Sequence, residues 1–482
     1  MLPVRPAIRP PLDPDYLPAA LWNAAYRERC AVDPGAHPLA IAIEQSDGTI
    51  SRFDTHVLPH TGANVVLNGK YIERLVKFLL WSRGGFRVHI GGDPAIAKMI
   101  AGTYGTIGAR KFDNGFMGTK VYRGLFEVIA CDLADVPAEK ESAAPLGRHL
   151  DGCRIGFHLG GSSRKCAAVI DGECVFSEEV AWDPDFQIDP RYHHQGINDT
   201  LRRAAARLPR VDAIGGSAAG IYVNNEVRIA SLFRGVSLID FSLHINGIFH
   251  DLEEEWGVPF EVVNDGEMTA LAGSMSLGQN ALLGLSMDAS LGAGYVTTGG
   301  NITSWLNELA FAPVDYRDDA PDDEWSGDRG CGVQYFSQQG VARLAPLAGI
   351  ALPKEMPHPE QLVEVQKLLA AGDTRARQVF ETIGVCLGYA VAHYADFYDF
   401  RHVLVLDRVT SGEGSDLILA RVGEVLRCEF PALAERIELH THSEKDHRDE
   451  QTIAAASLPS LEKRRTRQDR VFHGRRILRE GV

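Results

Sequence analysis

The chain has 482 residues, 45% hydrophobic and 23% charged, with a formal net charge of −15. That balance is that of a globular protein of two to four domains, and the acid excess argues against nucleic-acid binding by the whole body. No uninterrupted apolar run is long enough to cross a bilayer, the first residues have no signal-peptide core, and eight scattered cysteines form no CxxC pair. These features exclude a membrane-spanning role and point to reduced, mostly buried thiols in a cytoplasm.

In chain order, residues 1–20 are expected to form an irregular arm, because six prolines forbid regular pairing. Residues 21–150 read as a separate α/β module. It has strands at Leu39 to Ile43 and Ile50 to Val57, and a helix at Lys70 to Arg83 with apolar residues at Ile72, Leu75, Val76, Leu79 and Leu80. A strand at Phe86 to Ile90, a helix capped by Asp93 and a strand at Val121 to Cys131 follow. Val136 to Pro145 is polar, carries two prolines and reads as a linker.

A longer α/β region starts near residue 151. Ile155, Phe157 and Leu159 alternate as a strand, Gly160-Gly161 turns the chain, and Asp171-Gly172 signals a second hairpin. Then come a polar loop, Asp183 to Gln195, and a helix, Ile197 to Leu208. The strand Val211 to Ile214 runs into Gly215 to Gly220, and the helix Phe241 to Trp256 precedes the strand Phe260 to Val263. Asn264-Asp265 comes directly after that strand, and Glu267 to Met275 is helical. Strands at Ala281 to Met287 and Gly294 to Thr297 flank a turn. The segment Asp315 to Asp328, with seven carboxylates and one arginine, is expected to be a solvated loop. Helices are expected at Cys331 to Leu347, Glu360 to Ala371, Asp373 to Tyr398, Asp416 to Arg427 and Asp449 to Leu458, with strands at His402 to Leu406 and Ile437 to His440. The Asp373 to Tyr398 helix reads as core or a dimer face. A tail from residue 460 carries eight basic residues against three acids.

Four glycine-containing loops, Gly160-Gly161, Gly215 to Gly220, Leu291 to Gly294 and Ser411 to Gly414, each follow an apolar strand, where α/β proteins bind ligands. Their backbone N–H groups suit phosphate. A carboxylate at Asp265, held at a strand end, suits a general base on a hydroxyl; Asn or Asp before a helix is also a routine cap, and the two roles do not exclude each other.

The order of these motifs resembles the repressor/ORF/kinase (ROK) family of sugar kinases and regulators, within the actin-like ATPase superfamily. Gly156 to Ser162 is similar to its first phosphate motif, and Val263 to Ala272 to the segment with its catalytic aspartate. Leu285 to Val296 is similar to the second phosphate loop, Trp305 to Leu309 to a sugar-contacting segment, Gly330 to Ser337 to a GCxExYxS stretch, and Val403 to Gly412 to the adenosine side. The resemblance covers about two thirds of the chain. It implies a two-lobed, ribonuclease H-like α/β fold with lobe I at 151–262 and lobe II at 263–459, an extra N-terminal α/β module, and a basic tail at 460–482. It also implies ATP with Mg²⁺, a sugar or polyol substrate and a possible homodimer, with no membrane partner and no expectation of nucleic acid. Asp265 would be the catalytic base. Asn264, Glu308, Ser231 and Gly216 would contact substrate, and Gly160, Gly161, Ser162, Gly292, Gly294, Ser411 and Gly412 the nucleotide.

The departures are specific. His158 stands where the family has an aspartate for the hydrated Mg²⁺, and Asp288 where the second phosphate loop begins with glycine. Ser231, Phe311 and Val333 replace sugar contacts, and the family's zinc-site cysteines are reduced to Cys331. Zinc is therefore not expected. His193-His194 and His440-Thr441-His442 with His447 read as solvated histidines rather than metal ligands. Two functions follow: an ATP-dependent sugar kinase, or a sugar- or nucleotide-binding sensor with impaired phosphoryl transfer. A repressor ranks below both, since residues 1–150 do not read as a winged helix-turn-helix.

Overall fold

The computed structural model describes residues 2–140, 146–353, 355–441 and 450–461. They divide into two compact units. One holds residues 2–140, 281–293, 304–353 and 355–441, and the other 146–280, 294–303 and 450–461.

The first unit begins with the arm. It has no regular structure before residue 18, yet it is pinned along the Thr374–Tyr394 helix. The Leu12 N–H donates to Thr382 Oγ1, the Tyr389 hydroxyl donates to the Ile8 carbonyl, and Asp13 pairs with Arg317 and Arg343. After the helix Ala19–Val32 come β1 (His37–Glu44), β2 (Ile50–Val57), β3 (Arg87–Gly91) and β4 (Glu127–Cys131), in the order β2-β1-β3-β4. The strand expected at Val121 to Cys131 is corrected here. Residues Asn114–Tyr122 are helical, and only Glu127–Cys131 is extended. Phe116, Met117, Val121 and Tyr122 are buried at helical spacing, and Arg123 turns the chain in the left-handed region.

In the second unit, β5 (Cys153–Leu159), β6 (Ser163–Ile170) and β7 (Glu173–Ala181) form an antiparallel meander, with Asp171-Gly172 as its left-handed turn. β8 (Ala213–Ala218) pairs parallel to β5. A hairpin, β9 (Ile221–Val223) and β10 (Glu226–Ile229), follows, and then β11 (Phe260–Asn264), which pairs parallel to β8. The sheet order is β11-β8-β5-β6-β7. Asn225, in the hairpin turn, accepts from the Val262 N–H and donates to the Phe260 carbonyl, so it caps the outer edge of β11.

Gly156 and Gly215 are register partners on β5 and β8. A Cβ on either would lie 1.7 Å from the Thr452 carbonyl oxygen or 1.8 Å from that of Ala455. The two glycines therefore make a bare patch on which the backbone of the Glu450–Ala456 helix rests. On the other face, a Cβ at Gly216 would meet the ring of its partner Phe157 at 2.0 Å. Gly215-Gly216 thus lies inside β8 and not in a loop, because both neighbours approach too closely for any side chain. The expected loop at Leu291 to Gly294 is corrected in the same way. β12 (Leu282–Met287) and β13 (Leu291–Val296) leave only Asp288 to Ser290 as the turn, and a Cβ at Gly294 would sit 2.4 Å from the Gly266 carbonyl.

Back in the first unit, β14 (His402–Leu406) and β15 (Glu438–Thr441) complete a sheet ordered β13-β12-β14-β15. The expected polar loop Asp183 to Gln195 ends early, because Asp189 caps a helix that starts at Pro190. The acidic segment 315–328 is solvated only in part: Asp318, Asp319, Asp322 and Glu324 are exposed, as expected of a solvated loop, and the other three carboxylates are not. Asp315, Asp323 and Asp328 are buried, Asp315 pairing with Arg317 and the Tyr335 hydroxyl, and Asp328 with Arg74, Lys77 and Arg110. His193 is also buried, its Nε2 within 3.0 Å of the Leu232 carbonyl, whereas His194 is at the surface beside Glu255. The Thr374–Tyr394 helix is buried over most of its length and is core. Residues 141–145 of the linker, His442, His447 and residues 462–482 of the basic tail lie outside the described residues.

Candidate functional site

In the second unit the C-terminal ends of three adjacent parallel strands line up. Leu159, Ala218 and Asn264 share one register row, and His158, Ser217 and Val263 the row below. Three connections therefore leave the same sheet edge: Gly160 to Ser162, Ala219-Gly220, and Asn264-Asp265. This is the edge where open α/β sheets place ligands.

Asn264 is the cap of the Asp265–Leu277 helix. Its Oδ1 accepts from the Gly266 N–H at 2.7 Å, and its Nδ2 donates to the Gly220 carbonyl at 2.6 Å. Both sequence readings of this pair hold together: Asn264 caps, and Asp265, half-buried, opens the helix at the strand end. Burial, and then the Asp265 carboxylate beside it, push the Tyr222 phenol upward, so Tyr222 keeps its proton and donates to the Ala219 carbonyl.

The glycine turn is clamped by Trp182, whose indole N–H donates to the Gly160 carbonyl at 2.7 Å and whose backbone N–H reaches the Ser162 carbonyl. The Gly160 N–H is engaged by the Ser163 carbonyl, while Gly161 and Ser162 are exposed. His158 sits half-buried under this turn with Nδ1 3.0 Å from the Ser217 hydroxyl. Burial, reinforced by the Lys165 ammonium and opposed by Glu179, pushes its imidazole down to about 4, so the ring is neutral at pH 7. Gly216 is buried beneath Phe157, and Ser231 is exposed on the short turn Ser231–Phe233.

The remaining predicted residues belong to the first unit. Glu308 follows Leu306 and Asn307 in a segment whose three N–H groups donate to the Arg83, Ser82 and Trp81 carbonyls at 3.2, 2.9 and 2.8 Å. These are final carbonyls of the Asn64–Arg83 helix, which have no partner inside a helix. Arg83 stacks 3.4 Å from the Trp305 ring, and Trp81 packs 4.4 Å from Phe311. The Asn64–Arg83 helix therefore positions the Glu308 segment.

At the ends of β12 and β14, the Asp288 carboxylate accepts from the Gln338 side chain and lies 3.7 Å from the Arg408 guanidinium. Ser286 donates to Asp407, and Gln366 holds Ser411 at 3.0 Å. Gly292 lies in β13, and Gly412, at φ 66, begins the Glu413–Glu429 helix. Cys331 is fully buried, its thiol pushed up by burial and by Asp328, with Lys77 and Arg74 opposing.

Sequence reasoning missed Trp182, Ser217, Lys165, Gln338 and Arg408. Ser217 and Lys165 are the register partners of His158, so hairpin pairing was the available signal for Lys165. Gln338 and Arg408 reach Asp288 from distant segments and carry no local signal.

Among solved structures, a ROK hexokinase from Thermus thermophilus aligns with a TM-score of 0.51 at 20% identity, over 64% of this chain and 99% of that one. A ROK family transcriptional regulator, a homolog of the E. coli MLC protein, aligns with a TM-score of 0.51 at 18% identity, over 66% of this chain and 79% of its own. The chain has a ROK-like, actin-like ATPase fold. At these identities the fold is what is shared. No family model matches the sequence, and no curated protein does. In this ROK-like fold the position expected to support Mg²⁺ carries a neutral imidazole bonded to a serine hydroxyl. A hard cation prefers oxygen ligands, so His158 does not fit that role. Among the described residues no helix is long and apolar enough to cross a membrane.

Proposed function

We propose that this chain transfers the γ-phosphoryl group of ATP to a hydroxyl of a sugar or related polyol, with Asp265 as general base. The observation that carries the reading is the strand-end row, in which Asn264 fixes the first turn of the helix that bears Asp265, beside the clamped turn at Gly160 to Ser162. The Asp265 carboxylate accepts the hydroxyl proton as the oxygen forms its bond to phosphorus, and the bond from phosphorus to the ADP oxygen breaks. Positioning supplies most of the acceleration in such transfers. Asn264, Glu308 and Ser231 belong to this reading as substrate contacts, and Gly160, Gly161, Ser162, Gly292, Ser411 and Gly412 as nucleotide contacts. Gly216 and Gly294 act through packing, since each faces a neighbour too close for a side chain. The division into an N-terminal module and two lobes, the cytoplasmic location and the homodimer are parts of the same proposal.

One observation favours a second reading, a sensor that binds without efficient transfer: His158 is neutral where a carboxylate is expected. An ATP-consumption screen over a panel of sugars and polyols separates the two. The kinase reading expects at least one acceptor to raise ADP release by on the order of 100-fold or more over Asp265→Ala, the range of general-base contributions. No stimulation above that variant sinks it. His158→Asp is expected to raise transfer if the hairpin is a weakened catalytic element, and isothermal calorimetry then reports whether sugar or nucleotide binds without turnover.

A further inference from the structure

Among the described residues, one group of histidine, cysteine and carboxylate side chains brings three ligand atoms within 4.8 Å of one another: His402, Glu438 and His440. Strand geometry puts them there. His402 on β14 pairs in register with Glu438 on β15, and Leu404 pairs with His440. Partners in a parallel pair share a face, and residues two apart on one strand share it too. All three side chains therefore stand on one face, at the edge strand of the sheet.

The two imidazoles stand at hydrogen-bond distance from each other, and the carboxylate stands farther from both. His402 Nδ1 lies 3.0 Å from His440 Nε2, while the Glu438 carboxylate oxygen lies 3.6 Å from the first and 3.8 Å from the second. Those carboxylate separations are too long for hydrogen bonds. A circle through three points at these separations has a radius of about 2.0 Å, the length of a zinc–nitrogen or zinc–oxygen bond. Ligand atoms around a tetrahedral zinc ion lie about 3.3 Å apart, a separation that the three distances bracket, so a small closing of the carboxylate reaches it. Two imidazoles and one carboxylate are a borderline-soft set that suits zinc and its neighbours over Mg²⁺ or Ca²⁺. The side chains of His402 and His440 are 11% and 20% exposed and that of Glu438 70%, so the imidazoles are held by packing while solvent reaches the carboxylate.

We propose that His402, Glu438 and His440 form a binding site for a zinc-class divalent transition metal, which clamps the four-residue edge strand β15 onto β14. The site is independent of the phosphoryl-transfer reading. His440, expected to be solvated, has a side chain that is 20% exposed and stands 3.0 Å from the His402 ring nitrogen.

The test uses the tag-free full-length chain, stripped with chelator and titrated with CoCl₂ and then ZnCl₂. The expected result is a visible ligand-field spectrum of three-protein-ligand tetrahedral cobalt that reaches its plateau at one ion per chain. Zinc displaces it and raises the melting temperature. Glu438→Gln and His440→Gln each weaken binding by at least about 10-fold, the low end of what losing even an outer partner of a metal ligand costs. His250→Gln, a surface histidine elsewhere, leaves binding unchanged. Glu438 is exposed, so the metal-free Glu438→Gln chain is expected to unfold at the wild-type temperature, which separates ligand loss from misfolding. Failure to bind either ion, or binding undiminished in either variant, overturns the proposal.

Discussion

His393 illustrates how single residues set the pH response of this molecule. It is fully buried among Phe78, Tyr316, Tyr394 and Phe397, and among the described residues neither ring nitrogen has a hydrogen-bond partner. Burial, with a smaller push from Arg27, lowers its pKa to about 3. The unfolded chain takes up this proton near pH 6.5 and the folded chain does not. Stability is therefore undiminished above about 6.5 and falls as the pH drops toward 3, by about 2 kcal/mol at pH 5 for this one group. Urea unfolding at pH 7 and pH 5 is expected to show that loss, and His393→Phe, which suits the aromatic surroundings, is expected to reduce it. An unchanged slope in the variant would place the acid sensitivity elsewhere. The sequence offered no cue to this residue, since nothing in the pattern around Ala392-His393-Tyr394 distinguishes a buried imidazole from a solvated one. His193 was misread for the same reason, as partners nine and 39 residues away enclose it.

Among the elements, the bare patch of Gly156 and Gly215 governs how the last described helix docks. The approach to the Ala455 carbonyl is too close for a methyl group. Gly215→Ala is expected to lower stability by about 1–3 kcal/mol through overpacking, read as a fall in the urea midpoint. Gly102→Ala, where no atom lies within 4 Å, is expected to leave the midpoint level or slightly raised. Equal midpoints in the two variants would mean that the helix is free to shift. Local pattern predicted most elements here: the alternation of Ile155, Phe157 and Leu159, the Asp171-Gly172 turn and the strand before Asn264 all hold. It failed where glycine follows an apolar strand. Gly215-Gly216 and Gly294 have loop chemistry locally, but they lie within strands with neighbours too close for a side chain.

Across the molecule, the segment that reads as an appended module is wired into the first unit by buried charge. Lys77 and Asp113, both from the N-terminal third, meet at 2.6 Å with no solvent exposure to speak of, and Asp328 joins them at 3.5 Å. Burial disfavours the Lys77 ammonium, but Asp113 and Asp328 outweigh it and the pKa is raised. Lys77→Met is expected to cost about 3–5 kcal/mol, because it leaves Asp113, among the described residues, with the Trp81 indole as its side-chain donor. Adding Asp113→Asn is expected to recover a large part of the loss, as the amide oxygen still accepts from Trp81 without a charge to desolvate. Chemical denaturation of both variants measures this coupling, and two equal losses would show that the pair does not act as one.

The sequence by itself determined the element order, the strand–Asn264-Asp265–helix junction and the resemblance whose fold the solved structures share, because these follow from period, turn chemistry and motif order within short windows. Tertiary structure alone decided that Asp328 is buried with Lys77, that the Asn64–Arg83 helix carries the Glu308 segment, and that His402 meets Glu438 and His440. Each of those depends on groups tens to hundreds of residues apart, and desolvation and strand register are properties of the packed chain.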